Sequence, residues 1–147
     1  EARRTSPLAL KRLINRELER TTATAVLIGS DTYDRRWVRY EIMKSVERGN
    51  RVIGIHINNI KDRNQRVEAL GKNPLEWAAI RFNQNATKGD FMIWDGHKWV
   101  EFEDNDTISF TGASKYAGKT VQLSSWYSTY DWTKDDGYNN LSTWIGS

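Results

Sequence analysis

The sequence predicts an α/β domain with a parallel sheet flanked by helices and an aromatic-rich C-terminal extension that contains a β-hairpin. Three observations indicate these two parts. Helical and strand-like patterns alternate from residue 6 to residue 57, and both strand-like runs are continuously apolar. Continuous apolar runs are typical of strands that are covered on both faces, as in parallel sheets with helices on either side. The second half is rich in aromatic residues, and an Asp-Gly pair between two apolar runs predicts an antiparallel hairpin there.

The first predicted element is a helix that begins after Ser6 and runs to about Arg20. Ser6 is a favourable N-cap residue, and Pro7 suits the first helical position because its missing N–H costs nothing there. Four aliphatic residues recur at helical spacing along this segment: Leu10, Leu13, Ile14 and Leu18. They predict one buried face, with the intervening basic residues in water.

A buried strand is predicted over residues 23–28, and the polar loop 29–32 ends it. A second helix then begins at Asp34 or Arg35 and ends at Arg48. Its buried face is predicted at Val38, Ile42 and Val46. Gly49 is expected to end the helix by adopting the left-handed conformation. A second buried strand is predicted over residues 51–57.

The rest of the chain shows weaker patterns. Residues 58–75 are interpreted as a long connection with short helical pieces, and residues 103–120 as a loop. Between them, the hairpin joins residues 91–94 to residues 98–102 through Asp95 and Gly96. The last segment carries many aromatic residues and ends in a short helix that Asp135 or Asp136 caps.

Two parallel strands do not make a stable sheet, and a hairpin adds only antiparallel pairs. The hairpin is the only strong strand candidate in the second half, and the chain begins at Glu1 directly before a helix. We therefore expect a further strand to precede Glu1. The predicted organisation is a single domain, with an N-terminally incomplete core at 1–82 and a hairpin-containing aromatic extension at 83–147.

The charge and composition exclude several classes of function. The 22 basic and 19 acidic residues give a net charge of +3, which combines +6 over residues 1–76 with −3 over residues 77–147. The basic residues are spread along helical patterns, so no nucleic-acid partner is predicted, and the apolar runs are too short to cross a membrane. The absence of Cys excludes thiol chemistry and fits a reducing compartment, and the presence of only two His argues against a His-based metal site.

The candidate chemistry lies in the loop after the first strand and in the helix that follows it. Ligands of open α/β sheets bind beyond the carboxyl ends of the strands, which places Ser30 and Asp31 at such an end. Trp37 and Glu41 are four residues apart and share a helix face. From spacing alone, Glu41 is either a functional carboxylate or the salt-bridge partner of one of three nearby arginines: Arg35, Arg36 and Arg39.

Three other assignments remain open at this stage. Trp37 is either a core residue, which is the commoner role, or the wall of a pocket. Ser30 and Asp31 either cap the loop or contact a ligand. His56 is interpreted as a satisfied core histidine inside a buried strand, and His97 as an exposed residue beside the hairpin turn.

The run Trp37-Val38-Arg39-Tyr40-Glu41-Ile42 resembles the Trp-x-x-x-Glu-Leu element of TIR domains. The longer run 35–45 that contains it, together with four further runs, is similar to the TIR-like proteins of the bacterial Thoeris anti-phage defence system. The further runs are 24–30, 54–58 and the terminal segments 130–132 and 135–139. The resemblance implies a flavodoxin-like core on which the aromatic extension packs.

The same resemblance implies an enzyme that cleaves the nicotinamide–ribose bond of NAD and forms a cyclic ADP-ribose isomer. Glu41 matches the catalytic glutamate, and Ser30, Asp31 and Trp37 are the implied substrate-binding residues. NAD is then the substrate and no separate cofactor or metal is expected. The product would signal to an NAD-depleting effector in the cytoplasm, with self-association of the enzyme. The alternative is a non-catalytic TIR-like module for protein–protein interaction.

Overall fold

The computed structural model describes residues 6–62 and 64–146. Within those ranges the helices are α1 (Pro7–Leu18), α2 (Arg36–Glu47) and α3 (Gly137–Ile145). The longer strands are β1 (Thr24–Ile28), β2 (Val52–His56), β3 (Ala78–Phe82) and β4 (Lys88–Trp94). The shorter strands are β5 (Trp99–Glu101), β6 (Ile108–Ser109), β7 (Thr120–Gln122) and β8 (Thr129–Asp131).

Helix α1 begins as the sequence predicts and ends two residues earlier than expected. The Ser6 hydroxyl accepts a hydrogen bond from the Ala9 amide at 3.1 Å, which satisfies one of the free N–H groups of the first turn. Leu10 and Ile14 are fully buried, whereas the two outer positions of the predicted stripe pack only partly against the core. The helix therefore presents one apolar face to the parallel sheet.

Three parallel strands form the first sheet, in the order β1-β2-β8. The third strand comes from the C-terminal extension, so the prediction that the hairpin is the only strong strand candidate there is wrong. Strand β8 has three residues, which is too short for a recognisable sequence period. The register aligns Ile28 with His56 and His56 with Asp131, so the three carboxyl ends meet at one edge of the sheet.

Apolar side chains cover both faces of the parallel sheet, as the continuous apolar runs predict. Val26 and Val52 pack in one cluster with the buried face of α2 and with the second sheet. Ile53 and Ile55 pack in another cluster with the buried residues of α1 and α3. The fold class is therefore confirmed: an α/β parallel sheet with helices on both faces.

The second sheet is antiparallel, in the order β5-β4-β3-β7, with β6 also paired to β4. The predicted hairpin is confirmed, since β4 and β5 pair Trp94 with Trp99 across the Asp95-Gly96 turn. The Asp95 carboxylate accepts hydrogen bonds from the amides of His97 and Lys98, both at 2.8 Å. These bonds lower the pKa of Asp95.

Several segments differ from their predicted form. Residues 58–62 and 64–75 contain turns but no helix, in place of the expected helical pieces. Strand β3 was not predicted, and the segment 103–120 contains β6 and a short 3-10 turn where a plain loop was expected. The division at residue 82 does not coincide with the two sheets, because β3 belongs to the antiparallel sheet and β8 to the parallel one.

Within the described ranges, no helix combines the length and the apolar character that a membrane-spanning helix needs.

Candidate active site

Helix α2 holds Glu41 and Trp37 on its outer side. Ile42, Met43 and Val46 are buried against the core and fix the rotation of the helix. Glu41 is exposed, and its carboxylate makes no hydrogen bond or ion pair with any residue of the described ranges. An unpaired carboxylate on a firmly packed helix is free to contact a ligand.

Each of the three arginines near Glu41 has another partner. Arg35 contacts Asp31 at 3.1 Å, Arg36 contacts Asp104 at 2.6 Å, and Arg39 donates to the carbonyl oxygen of Tyr33 at 3.2 Å. The interpretation of Glu41 as a simple salt-bridge partner is therefore wrong. Burial lowers the pKa of the Arg39 guanidinium, although nearby carboxylates oppose that effect.

Arg36 joins α2 to the loop that follows the hairpin. Its guanidinium donates two hydrogen bonds to Asp104, at 2.6 and 2.7 Å, in a bidentate pair. These hydrogen bonds lower the pKa of Asp104. Lys44, two turns further along α2, donates to Asp106 of the same loop at 2.9 Å. Two ion pairs thus link α2 to the loop after the hairpin.

Trp37 is 68% exposed, so the commoner assignment of this residue to the core is wrong. Its ring stacks on Tyr40 with 5.4 Å between the centroids and 16° between the planes. The two rings, with Arg36 and Asp104, line a groove of about 420 Å³. The groove offers a flat aromatic wall on the same helix as Glu41.

The loop after β1 is held by two local contacts and by one contact with a distant segment. The Gly29 amide donates to the Thr32 hydroxyl at 2.8 Å, and Asp31 is occupied by Arg35. Ser30 donates to the Glu68 carboxylate from its hydroxyl at 2.8 Å and from its amide at 3.2 Å. Neither Ser30 nor Asp31 shares a hydrogen bond or ion pair with Glu41 in the described part of the chain, so no direct polar contact brings these predicted residues together.

A second cavity, of about 590 Å³, opens at the carboxyl ends of β2 and β8. His56 and Asp131, the last residues of those strands, line it together with Glu76, Tyr127 and Asp135. One oxygen of Asp131 already accepts the amides of Thr133 and Lys134, and Asp135 accepts the Asp131 amide. The Asp131 and Asp135 carboxylates therefore use part of their hydrogen-bonding capacity on backbone amides in and around the turn after β8.

Sequence comparison identifies the family. A family described as "Thoeris protein ThsB, TIR-like domain" matches residues 1–62. A protein of Bacillus cereus (strain MSX-D12), named "Putative cyclic ADP-D-ribose synthase ThsB1", is 45% identical over 147 residues, covering 99% of this chain and 77% of that protein. The chain belongs to the ThsB family of TIR-like proteins. The resemblance inferred from the Trp37–Ile42 run and the other segments is therefore confirmed.

The environment of His56 in this ThsB-family chain differs from the one that the sequence predicted. The residue is only partly buried, and its Nδ1 atom is buried without a hydrogen-bond partner among the described residues. The interpretation as a satisfied core histidine is therefore wrong for this nitrogen. Burial lowers the pKa of the imidazole, while the charges of Asp131 and Glu76 act in the opposite sense.

We expect His56 to make the protein less stable in mild acid. Because the pKa is lower in the folded state than in the unfolded state, the unfolded chain binds more protons below about pH 6.5. Stability is then complete above that pH and falls as the pH decreases toward the folded-state pKa. Urea unfolding at pH 5 and pH 7 measures this, and His56→Asn should show a smaller difference between the two pH values. An equal difference in both proteins would contradict the prediction.

Sequence reasoning missed three residues that make contacts in or near the candidate site. Glu68 and Asp104 lie in segments interpreted as connections, and nothing in their spacing links them to Ser30 or Arg36. Asp131 was missed because β8 was not recognised as a strand, so its end was not recognised as a sheet edge. Within the described ranges, no group of three or more His, Cys, Asp or Glu is arranged to hold a metal ion.

Proposed function

We propose that this chain cleaves NAD, releases nicotinamide and converts the remainder into a cyclic ADP-ribose isomer that acts as a second messenger in anti-phage defence. The observation that carries the proposal is the 45% identity, across nearly the whole chain, to a protein named for cyclic ADP-D-ribose synthesis. Membership of the Thoeris ThsB family supports the role in defence. A non-catalytic interaction module is not favoured, because that relative is named for an enzymatic activity.

The proposed reaction requires little acid–base chemistry. The bond between ribose C1′ and the nicotinamide nitrogen breaks, and its electron pair stays on that nitrogen, so the cationic ring leaves as a neutral base. The ribose becomes an oxocarbenium-like species in the transition state, which a nearby carboxylate stabilises. A nucleophile at the other end of the same molecule then donates an electron pair to C1′, loses one proton to water and closes the ring.

Glu41 is the residue that we assign to the ribose. Its carboxylate is exposed and unpaired among the described residues, so no ion pair has to break before it contacts ribose hydroxyls. It brings a full negative charge toward the carbon that develops positive charge. The pairing of all three nearby arginines elsewhere supports this assignment, because none of them neutralises Glu41.

Trp37 is proposed to line the substrate pocket, and the groove that it forms with Tyr40 supports that role. An aromatic face stacks favourably on a planar heterocycle. Ser30 and Asp31 are proposed to contact ribose or phosphate from the end of β1. Holding both ends of one substrate in a pocket that excludes water would favour ring closure over hydrolysis.

The wider biology is also a proposal. NAD is the substrate, and no separate cofactor is required by the chemistry above. The product is proposed to activate an NAD-depleting effector protein in the cytoplasm, and self-association of the enzyme is proposed to accompany activity. Membership of the Thoeris family supports this arrangement.

Incubating the purified chain with NAD tests the reaction. We expect release of nicotinamide, together with a product that has the mass of NAD minus nicotinamide and resists enzymes that act on linear ADP-ribose. Linear ADP-ribose as the only product would contradict cyclisation. A protein that binds a second copy of itself or a partner, but neither binds nor consumes NAD, would instead support the interaction module.

A further inference from the structure

Residues 66–72, here called the strap, cross the loop that follows β1. The Glu68 carboxylate in the strap accepts both donors of Ser30, the hydroxyl at 2.8 Å and the amide at 3.2 Å. A hydroxyl and a backbone N–H that converge on one carboxylate oxygen form an anion site. The site is built at a strand end where α/β proteins bind ligands.

We infer that Glu68 is an internal anion that occupies this site in the absence of substrate, and that a phosphate group of a dinucleotide takes its place when the strap moves. The contacts alone define the site and its occupant, whereas the choice of a dinucleotide phosphate rests on the proposed function. Phosphate and carboxylate oxygens accept the same donors, so the two groups compete directly. The strap is then an autoinhibitory contact within the substrate loop.

Close packing of two glycines allows the strap to approach. A Cβ atom on Gly71 would collide with the carbonyl oxygen of Gly29, so the two backbones lie in direct contact. A Cβ atom on Gly29 would lie 3.2 Å from both carboxylate oxygens of Glu68. The carboxylate therefore occupies the space beside Gly29 and takes both hydrogen-bond donors of Ser30, so a ligand cannot accept from those donors while it stays there.

Weak contacts hold the strap in place. Its two largest apolar side chains, Val67 and Leu70, are 53% and 70% exposed, so the strap buries little apolar surface. Glu68 has no ion pair with any described basic residue. Its amide donates a hydrogen bond to the Asn58 carbonyl at 2.9 Å, and Arg66 exchanges hydrogen bonds with Asp62 at 2.9 and 3.0 Å, so the strap is held mainly by a few exposed polar contacts. Segments with few buried contacts open at low cost in free energy.

Lys72 supplies a fixed point at the far end of the strap. Its ammonium group lies 4.6 Å from the ring centroid of Trp77 and 5.4 Å from that of Tyr33. Those two rings contact each other edge to face, with 5.0 Å between centroids. These contacts tie Lys72 to rings outside the strap, so the inferred movement of Glu68 away from Ser30 leaves Lys72 in place.

Pyrophosphate and ADP-ribose binding tests the inference in the full chain. Removing an internal competitor raises the fraction of protein with an open site. The apparent dissociation constant is inversely proportional to that fraction, so it falls. We expect Glu68→Ala to tighten binding of both probes by about three- to tenfold. Gly71→Ala should act in the same direction, because it lifts the strap without changing any charge. Amide NMR should place the pyrophosphate-induced shifts at Ser30.

Two matched controls separate the site from general charge effects. Val67→Ala changes the strap away from Ser30, and Glu101→Ala removes an exposed carboxylate from another strand, so neither should alter pyrophosphate binding. In the Glu68→Ala background, Ser30→Ala should remove most of the gain. Unchanged or weaker probe binding in Glu68→Ala would overturn the inference, as would equal tightening in Glu101→Ala.

The outcome also distinguishes this inference from the proposed function. Tighter pyrophosphate binding in Glu68→Ala, with no nicotinamide release by either Glu68→Ala or the wild-type chain, would support the anion site and reject the reaction. Nicotinamide release by the wild-type chain, with probe affinities unchanged in Glu68→Ala and Gly71→Ala, would support the reaction and reject the strap.

Discussion

Glu41→Gln is expected to reduce nicotinamide release by at least about a hundredfold, which is the scale of losing one group that stabilises transition-state charge. Glutamine keeps the size and helix propensity of glutamate but removes the negative charge. Since Glu41 is exposed and unpaired among the described residues, the free energy of unfolding should change by less than about 0.5 kcal/mol. A loss of turnover at constant stability would therefore reflect chemistry rather than folding.

Glu47→Gln provides the matched control on the same helix. Glu47 contacts Lys44 at 3.2 Å near the surface, and Lys44 keeps Asp106 as a second partner when that contact is lost. Turnover of this variant should stay within about twofold of wild type, because exposed ion pairs contribute little. Equal turnover by Glu41→Gln and wild type would exclude Glu41 as the catalytic carboxylate.

The sequence predicted those elements whose signal is local. Helix α1 followed from Ser6, Pro7 and a four-residue apolar stripe, and the hairpin followed from Asp95 and Gly96. Strands β1 and β2 followed from continuous apolar runs, which also predicted that helices cover both faces. In each case the residues that determine the element are neighbours in the chain.

The sequence did not predict the features that depend on distant residues. Strand β8 has only three residues, and its place beside β2 depends on pairing Gly54 with Thr129, 75 residues away in the chain. The same limit applies to the candidate site. Trp37 and Glu41 were recognised through one helix face, whereas the pairs Ser30–Glu68 and Arg36–Asp104 depend on loops whose paths no local pattern determines.

The role of β8 leads to the second large prediction, which is that Trp144→Ala destabilises the protein by about 3–5 kcal/mol. Trp144 lies in α3, is 5% exposed, and stacks on Tyr130 of β8 with 4.3 Å between centroids and 4° between planes. It also meets Trp132 edge to face at 6.1 Å. Truncation would leave a large cavity and remove both ring contacts, which is a substantial part of the stability of a domain of this size.

Tyr138→Ala tests whether this effect belongs to the contact with β8 rather than to helix α3 as a whole. Tyr138 lies in the same helix but is 46% exposed, so its loss should cost much less in urea unfolding. Trp144→Ala should also speed amide exchange at Trp132, whose N–H donates to the His56 carbonyl at 3.0 Å across the β2–β8 edge. Equal destabilisation by the two variants would mean that α3 contributes through its helical backbone alone. A larger effect of Trp144→Ala would show that a C-terminal aromatic stack holds the third strand of the parallel sheet, and with it the carboxyl edge at which His56 and Asp131 meet.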